Sequence, residues 1–360
     1  IILGLCTMAV GCLIFFPAAD TRVFFYFLTA LFILAGGMAM LQVAANPFVA
    51  VLGSEDGASS RLNLSQAFNS LGTAIAPAVG ALFILSDTIK TESEIASLSE
   101  TAKETYLASE ASAVQTPFLG LALFIGFIAV IFLFAKLPKM MSEKSTGTYF
   151  EAFKNKNLML GVLGIFFYVG AEVAIGSYLV NYFLDMNLVE VIKQNGFMKS
   201  IAEGILNSGL AENDNKAIVG VFVTFYWSGA MIGRFIGSYL TKIMKPGKVL
   251  GVFATLAISL ILISISTTGL ISMWSILAVG LFNSIMFPTI FTLSLDGLGE
   301  LKPKASGLLC TAIVGGALIP PFYGFLTDNI GFKLALMFII CCYVYILYFG
   351  YRNYKKSIIV

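Results

Sequence analysis

The chain has 360 residues, of which 58% are hydrophobic and only 12% charged, at a mean hydropathy of +0.90. Soluble domains carry about a quarter charged residues, so this composition describes a polytopic membrane protein. A net charge of +2 makes no case for a nucleic-acid partner, and the absence of histidine excludes a histidine-based catalytic triad or proton relay.

The chain opens at Ile1 inside an apolar run that reaches Pro17, with no charged residues before it and no A-x-A site after it. It is therefore read as a membrane span with its upstream sequence missing, not as a signal peptide. A PAADTR turn leads into a second run, 24 to 52. After a polar loop at 53 to 60 comes a third run, 62 to 85. A Ser/Thr/Glu-rich stretch, 86 to 114, reads as a solvated outer loop, and a fourth run covers 116 to 137.

The basic segment 138 to 157 (PKMMSEKSTGTYFEAFKNKN) divides the chain. Beyond it lie six more runs, near 158 to 184, 217 to 241, 248 to 268, 271 to 295, 305 to 327 and 331 to 350. Each has about the 20 residues needed to cross a hydrocarbon core of roughly 30 Å. The polar insert 187 to 216, with apolar Val191, Phe197, Ile201 and Ile205, reads as one short helix on the membrane surface. The expected domains are a four-span bundle over 1 to 137, a cytoplasmic linker over 138 to 157 and a six-span bundle over 158 to 360. Alternating the ten spans places 15 Lys and Arg on the side of the 138 to 157 loop and seven on the other. That partition obeys the positive-inside rule and puts the linker and C-terminus in the cytoplasm.

The five cysteines, Cys6, Cys12, Cys310, Cys341 and Cys342, all fall in apolar runs, and no CxxC pair or metal-binding cluster occurs. No cofactor, metal site or enzyme activity is expected.

A weak repeat links the halves: Gly72-x4-Pro77-xx-Gly80 is echoed by Gly316-x4-Pro321-xx-Gly324, each about 30 residues after an intramembrane proline, Pro47 or Pro288. Parallel repeats of this kind are a transporter architecture. If the halves are equal, two spans precede Ile1.

Amides and one acid interrupt the apolar runs. Glu172, about fourteen residues into its span, costs roughly 2.5 to 3.5 kcal/mol to insert unless it is protonated, paired or facing water. It either serves substrate or coupling ion, or is a structural carboxyl bonded to a neighbouring helix. Gln66, Asn69 and Thr73 share one helical face, and their amides match a sugar's donors and acceptors; interhelical hydrogen bonding is the alternative. Gln42 and Asn46 also share a face before Pro47, a potential kink, as Asn283 precedes Pro288. Gln42 and Asn283 are read as sugar contacts and Asn46 as structural. Tyr168 and Trp227 could stack on a sugar or simply pack. Gly233 and Gly237 permit close helix approach, and Arg234 between them could bond carbonyls or an acid in one conformation only.

The blocks LQVAANPFVAVLG (41 to 53) and RLNLSQAFNSLGTAIAP (61 to 77) resemble the fucose/glucose/galactose permease branch of the major facilitator superfamily. VQTPF (114 to 118), YVGAEVAIGSYLVNYF (168 to 183), GRFIGSYL (233 to 240) and FNSIMFPTIFTLSL (282 to 295) extend the match over nearly the whole chain. The resemblance implies an all-α fold of twelve transmembrane helices, ten of them present here. It also implies cation-coupled hexose symport by alternating access in a bacterial inner membrane.

Fucose permeases carry glutamate where this chain has Gln42 and an uncharged residue where it has Glu172. Glucose/galactose permeases look like this chain at both positions and at Asn283, which favours glucose or galactose. The branch's proton-linked aspartate lies in its first helix, so the choice between H⁺ and Na⁺ stays open. Transport of fucose or another solute, and a non-transporting sugar sensor, are the alternatives. The implied partners are a hexose and the lipid bilayer.

Overall fold

The computed structural model describes residues 1–84, 95, 97–137, 148–206 and 208–359, with the side chains of 77–84, 212 and 359 excepted. Half of the 138 to 157 linker, part of the 86 to 114 loop, and the side chain of Pro77 in the first repeat copy lie outside the described residues.

The first apolar runs become α1 (Ile2–Thr21), α2 (Phe24–Val51), α3 (Ala58–Ile84), a short polar helix α4 (Glu100–Ser112) and α5 (Gln115–Phe134). After α6 (Tyr149–Lys154) come the long α7 (Lys156–Asp185) and three short helices, α8 (Leu188–Gln194), α9 (Gly196–Leu206) and α10 (Asn215–Gly220). The chain ends with α11 (Val223–Ile243), α12 (Pro246–Ser266), α13 (Gly269–Asn283), α14 (Met286–Leu295), α15 (Lys302–Thr311), α16 (Gly315–Ile330) and α17 (Phe332–Ile359).

Among the described residues nine helical segments are long and apolar enough to span a membrane. The tenth expected span is α3, 27 residues long, which falls outside that set.

The chain divides into two compact units, residues 1–48 with 72–140 and residues 49–71 with 141–360. In the first unit α1 packs on α5 and on α2. Gly11 lets α2 approach so closely that a Cβ there would lie 2.6 Å from the Leu34 amide nitrogen. Phe15 stacks on Phe118 with centroids 3.8 Å apart. Gln115 donates to Asp20 at 2.6 Å, and Arg22 pairs with Glu104 of α4 at 3.4 Å. The 86 to 114 stretch thus contains a helix, started by Ser99 accepting from the Ala102 amide, where the sequence suggested only a loop.

In the second unit α7 is central and packs against α14, α16 and α17, while α12 lies along α13 and α17. The insert 187 to 216 is not one helix but three. Leu188, Val189, Ile192, Met198 and Ala202 are buried, whereas Phe197 is 72% exposed. The described end of the linker is helical as well, closed by a reciprocal capping box between Thr148 and Glu151.

Candidate functional site

The site grows from a break in a span. Pro288 has no amide proton, so it cannot donate to the carbonyl four residues back, that of Ser284. The helix stops at Asn283 and resumes at Met286. The freed Ser284 carbonyl accepts instead from Arg234 Nε at 3.2 Å. Arg234 Nη1 reaches the Gln66 carbonyl at 3.2 Å and also bonds the Ser70 hydroxyl. One guanidinium thereby ties α3 and α11 to the break. Its planar fork of five donors suits it to several acceptors at once.

The close approach this demands is provided by glycine. A Cβ on Gly233 would meet the Leu281 carbonyl and Ser284, and one on Gly237 would meet the Ile285 side chain. Further along α3, Ser60 and Ser238 exchange hydrogen bonds, Ser60 Oγ donating to the Ser238 carbonyl at 2.7 Å and Ser238 Oγ to the Ser60 carbonyl at 3.0 Å. Asn63 Nδ2 donates to Thr289 at 3.3 Å, and Ser59 and Thr292 share a 2.5 Å hydroxyl contact. Each of these bonds replaces water that the membrane interior does not offer. Arg61 secures the entry to α3 by donating to the Ala50 and Ser54 carbonyls at 2.6 and 2.8 Å.

A second network backs Glu172. Tyr343 donates to Asn283 Oδ1 at 2.6 Å, Asn283 Nδ2 donates to the Tyr226 hydroxyl at 2.7 Å, and Tyr226 donates to the Glu172 backbone carbonyl at 3.1 Å. Tyr226, Asn283 and Tyr343 are all fully buried. The chain of donors thus holds the backbone of α7 and leaves the Glu172 carboxylate uncommitted to Tyr226. That carboxylate is partly buried and feels Arg234 and Tyr168. Tyr168, one turn away and 1% exposed, has no hydroxyl partner of standard geometry among the described residues, and its hydroxyl interacts with the Glu172 carboxyl.

Tyr168, Glu172, Arg234, Asn283 and Gln66 are therefore brought together in one unit. Gln66 is partly buried, and Asn69 is exposed on the same helix. Gln42 is partly buried on α2 in the other unit. Pro47 is buried in α2, which runs on as a helix through Val51, whereas Pro288 follows a helix break. Sequence reasoning missed Tyr226, Tyr343, Ser70 and Ser284. The one available signal was that a tyrosine deep in an apolar span needs a partner for its hydroxyl.

The sequence model described as Major Facilitator Superfamily matches residues 1–313. The chain is 45% identical over 362 residues to a glucose/galactose transporter of Brucella abortus biovar 1 (strain 9-941), covering 99% of this chain and 78% of that one. It is 33% identical over 340 residues to the L-fucose-proton symporter of Escherichia coli (strain K12), covering 92% and 72% respectively. The crystal structure of a Major Facilitator Superfamily transporter, FucP, in the outward conformation superposes with a TM-score of 0.85 at 30% identity, covering 98% of this chain and 82% of that one. Helical throughout its described spans, and matched in sequence and in fold, this multi-pass membrane protein is not an enzyme but a transporter of the Major Facilitator Superfamily.

Proposed function

We propose that the protein takes up a hexose, glucose or galactose, by cation-coupled symport with alternating access. The observation that carries this reading is the partly buried Glu172 carboxylate, deep in a membrane span and within electrostatic reach of Arg234, which is itself bonded to the amide-bearing α3. An acid in that position is costly unless it binds something polar or a cation. The likeness to the Brucella glucose/galactose transporter supports the hexose, and the likeness to the fucose-proton symporter supports coupling to a cation.

Glu172, Tyr168, Gln66 and Asn69 are proposed as sugar contacts, with Gln42 a further one on α2, and Glu172 also as the coupling residue for H⁺ or Na⁺. Asn283 serves the sugar through Tyr226 and Tyr343, since both its amide atoms are already engaged. Arg234, Gly233, Gly237 and the two prolines Pro47 and Pro288 are assigned to the conformational change. Arg234 holds α3 in one state and releases it in the other. The bacterial inner membrane is the proposed location, and the charge distribution favours a cytoplasmic 138 to 157 linker and C-terminus.

The test is uptake of radiolabelled glucose, galactose and fucose by proteoliposomes, with H⁺ and Na⁺ gradients imposed separately. Accumulation of glucose or galactose under one gradient is expected. Accumulation of fucose alone, or of no hexose under either gradient, overturns the reading.

A further inference from the structure

Helix α11 presents three faces. Tyr226, Ala230, Gly233 and Gly237 are buried against α13 and the break. Ile232, Phe235, Ile236 and Tyr239 are exposed apolar residues of the kind that meets lipid. The third face, Trp227, Met231, Arg234 and Ser238, repeats at three- and four-residue intervals and grades from exposed Trp227 through partly buried Met231 and Arg234 to buried Ser238. Its far end is bonded to α3 through Ser238 and Arg234. Trp227, two turns from Arg234, is 42% exposed within this unit.

The indole has a fixed seat. Gly176 of α7 lies one turn beyond Glu172, and a Cβ there would come within 2.7 Å of Trp227 Cζ2 and 3.3 Å of Cη2. The six-membered ring of the indole thus rests on the bare backbone of α7. The ring of Tyr226 meets the indole edge-on, with centroids 5.1 Å apart and planes at 83°. Gly176, the seat of the indole, lies one helical turn, about 5.4 Å, along α7 from Glu172. That separation is roughly the width of a pyranose ring.

A pyranose has equatorial hydroxyls around its rim and C–H bonds on its faces. The C–H faces suit the electron-rich face of an indole, and the hydroxyls suit a carboxylate and amides. Pockets for small polar ligands combine an apolar wall with a few placed polar groups in this way.

We infer that Trp227 is the stacking platform for the sugar ring, that Gly176 exists to admit it, and that Glu172 receives the hydroxyls of a ring so placed. The inference rests on the hexose reading above and adds a recognition element to it. It makes the site selective for closed rings over open-chain polyols, which present the same hydroxyls without a flat C–H face.

The test uses purified transporter in proteoliposomes, with D-glucose, D-galactose and the open-chain polyol sorbitol as probes, read by counterflow and by tryptophan emission. Glucose or galactose is expected to change the emission of the wild type, and the change is lost in Trp227→Phe. Affinity is expected to fall about tenfold in Trp227→Ala and less in Trp227→Phe, the tenfold loss corresponding to about 1.4 kcal/mol. Gly176→Ala, which touches no sugar in this arrangement, is expected to weaken affinity by displacing the indole, and the smaller ring of Trp227→Phe in the same chain is expected to cancel the added loss. Thermal unfolding of each variant separates folding defects from binding defects.

The inference is overturned if the wild type exchanges hexose but folded Trp227→Ala binds it within twofold of the wild type. It is equally overturned if the sugar-dependent emission survives in Trp227→Phe, or if sorbitol competes as well as galactose. No hexose exchange by the wild type would sink the hexose reading itself, and the platform with it.

Discussion

Arg234 donates from Nη1 to the backbone carbonyl of Gln66 over 3.2 Å, although 168 residues separate the two in the chain. Because the same guanidinium also fills the carbonyl that Pro288 leaves open, a single side chain joins a kinked span to a helix from the other half of the sequence repeat. Such a bond is valuable to a transporter only if it can be given up.

Arg234→Lys keeps the positive charge beside Glu172 but cannot span three acceptors with one ammonium group. Exchange of hexose is expected to slow by about tenfold, equivalent to about 1.4 kcal/mol, with equilibrium affinity changed by less than about threefold. Counterflow rate and binding titration, measured together, check this. Equal losses in both would move Arg234 from the clamp into the sugar site.

Glu172→Gln should separate coupling from folding. Tyr226 grips residue 172 by its carbonyl, so the amide side chain leaves that bond intact. The melting temperature in detergent is expected to stay within about 1 °C of wild type, a change of under about 1 kcal/mol for a chain of this size. Gradient-driven accumulation should disappear while exchange of sugar at equal concentrations continues. Unchanged accumulation would remove Glu172 from the coupling step.

Asn283→Leu removes the amide that joins two buried hydroxyls. Two hydrogen bonds vanish and their partners are stranded without water, a loss of about 1–3 kcal/mol. A lowered melting temperature in detergent is the expected result, and rescue by Asn283→Gln is not expected, since the longer side chain cannot fit the same two oxygens. A melting temperature equal to wild type would show that the network contributes nothing to stability.

Glycines of similar appearance should behave differently. Gly237→Val places branched carbons on Ile285, where α11 and α14 have no room to part without breaking the Arg234 contacts, and is expected to reduce folded protein in the membrane sharply. Gly126→Ala, in α5, meets nothing within 4 Å among the described residues and is expected to leave expression and melting temperature unchanged. Size-exclusion profiles of the two variants decide between them.

The spans were legible because a membrane enforces long apolar runs. All ten runs correspond to helical segments, three of them broken into two helices; α2, expected over 24 to 52, is found over Phe24–Val51, whereas α17, expected to end at 350, runs to Ile359. Glu172 and Gln66 were legible as anomalies in those runs. Tyr226 and Tyr343 were not, because a tyrosine in an apolar span leaves no periodic trace and its partner lies far away in sequence; Tyr343 finds Asn283 across 60 residues. The insert 187 to 216 was misread for another reason. Its visible apolar residues, Phe197 and Ile205, are among the exposed ones, while Ile192, Met198 and Ala202 carry the packing.

The grip of Tyr226 on a peptide carbonyl has a consequence for how such a wall can be altered. The hydrogen bond from Tyr226 reaches position 172 through an atom that every amino acid possesses. An acid, an amide or a hydroxyl at that position keeps the same anchor to α11, so the side chain that meets the ion and the solute can change while this tie between helices is left standing.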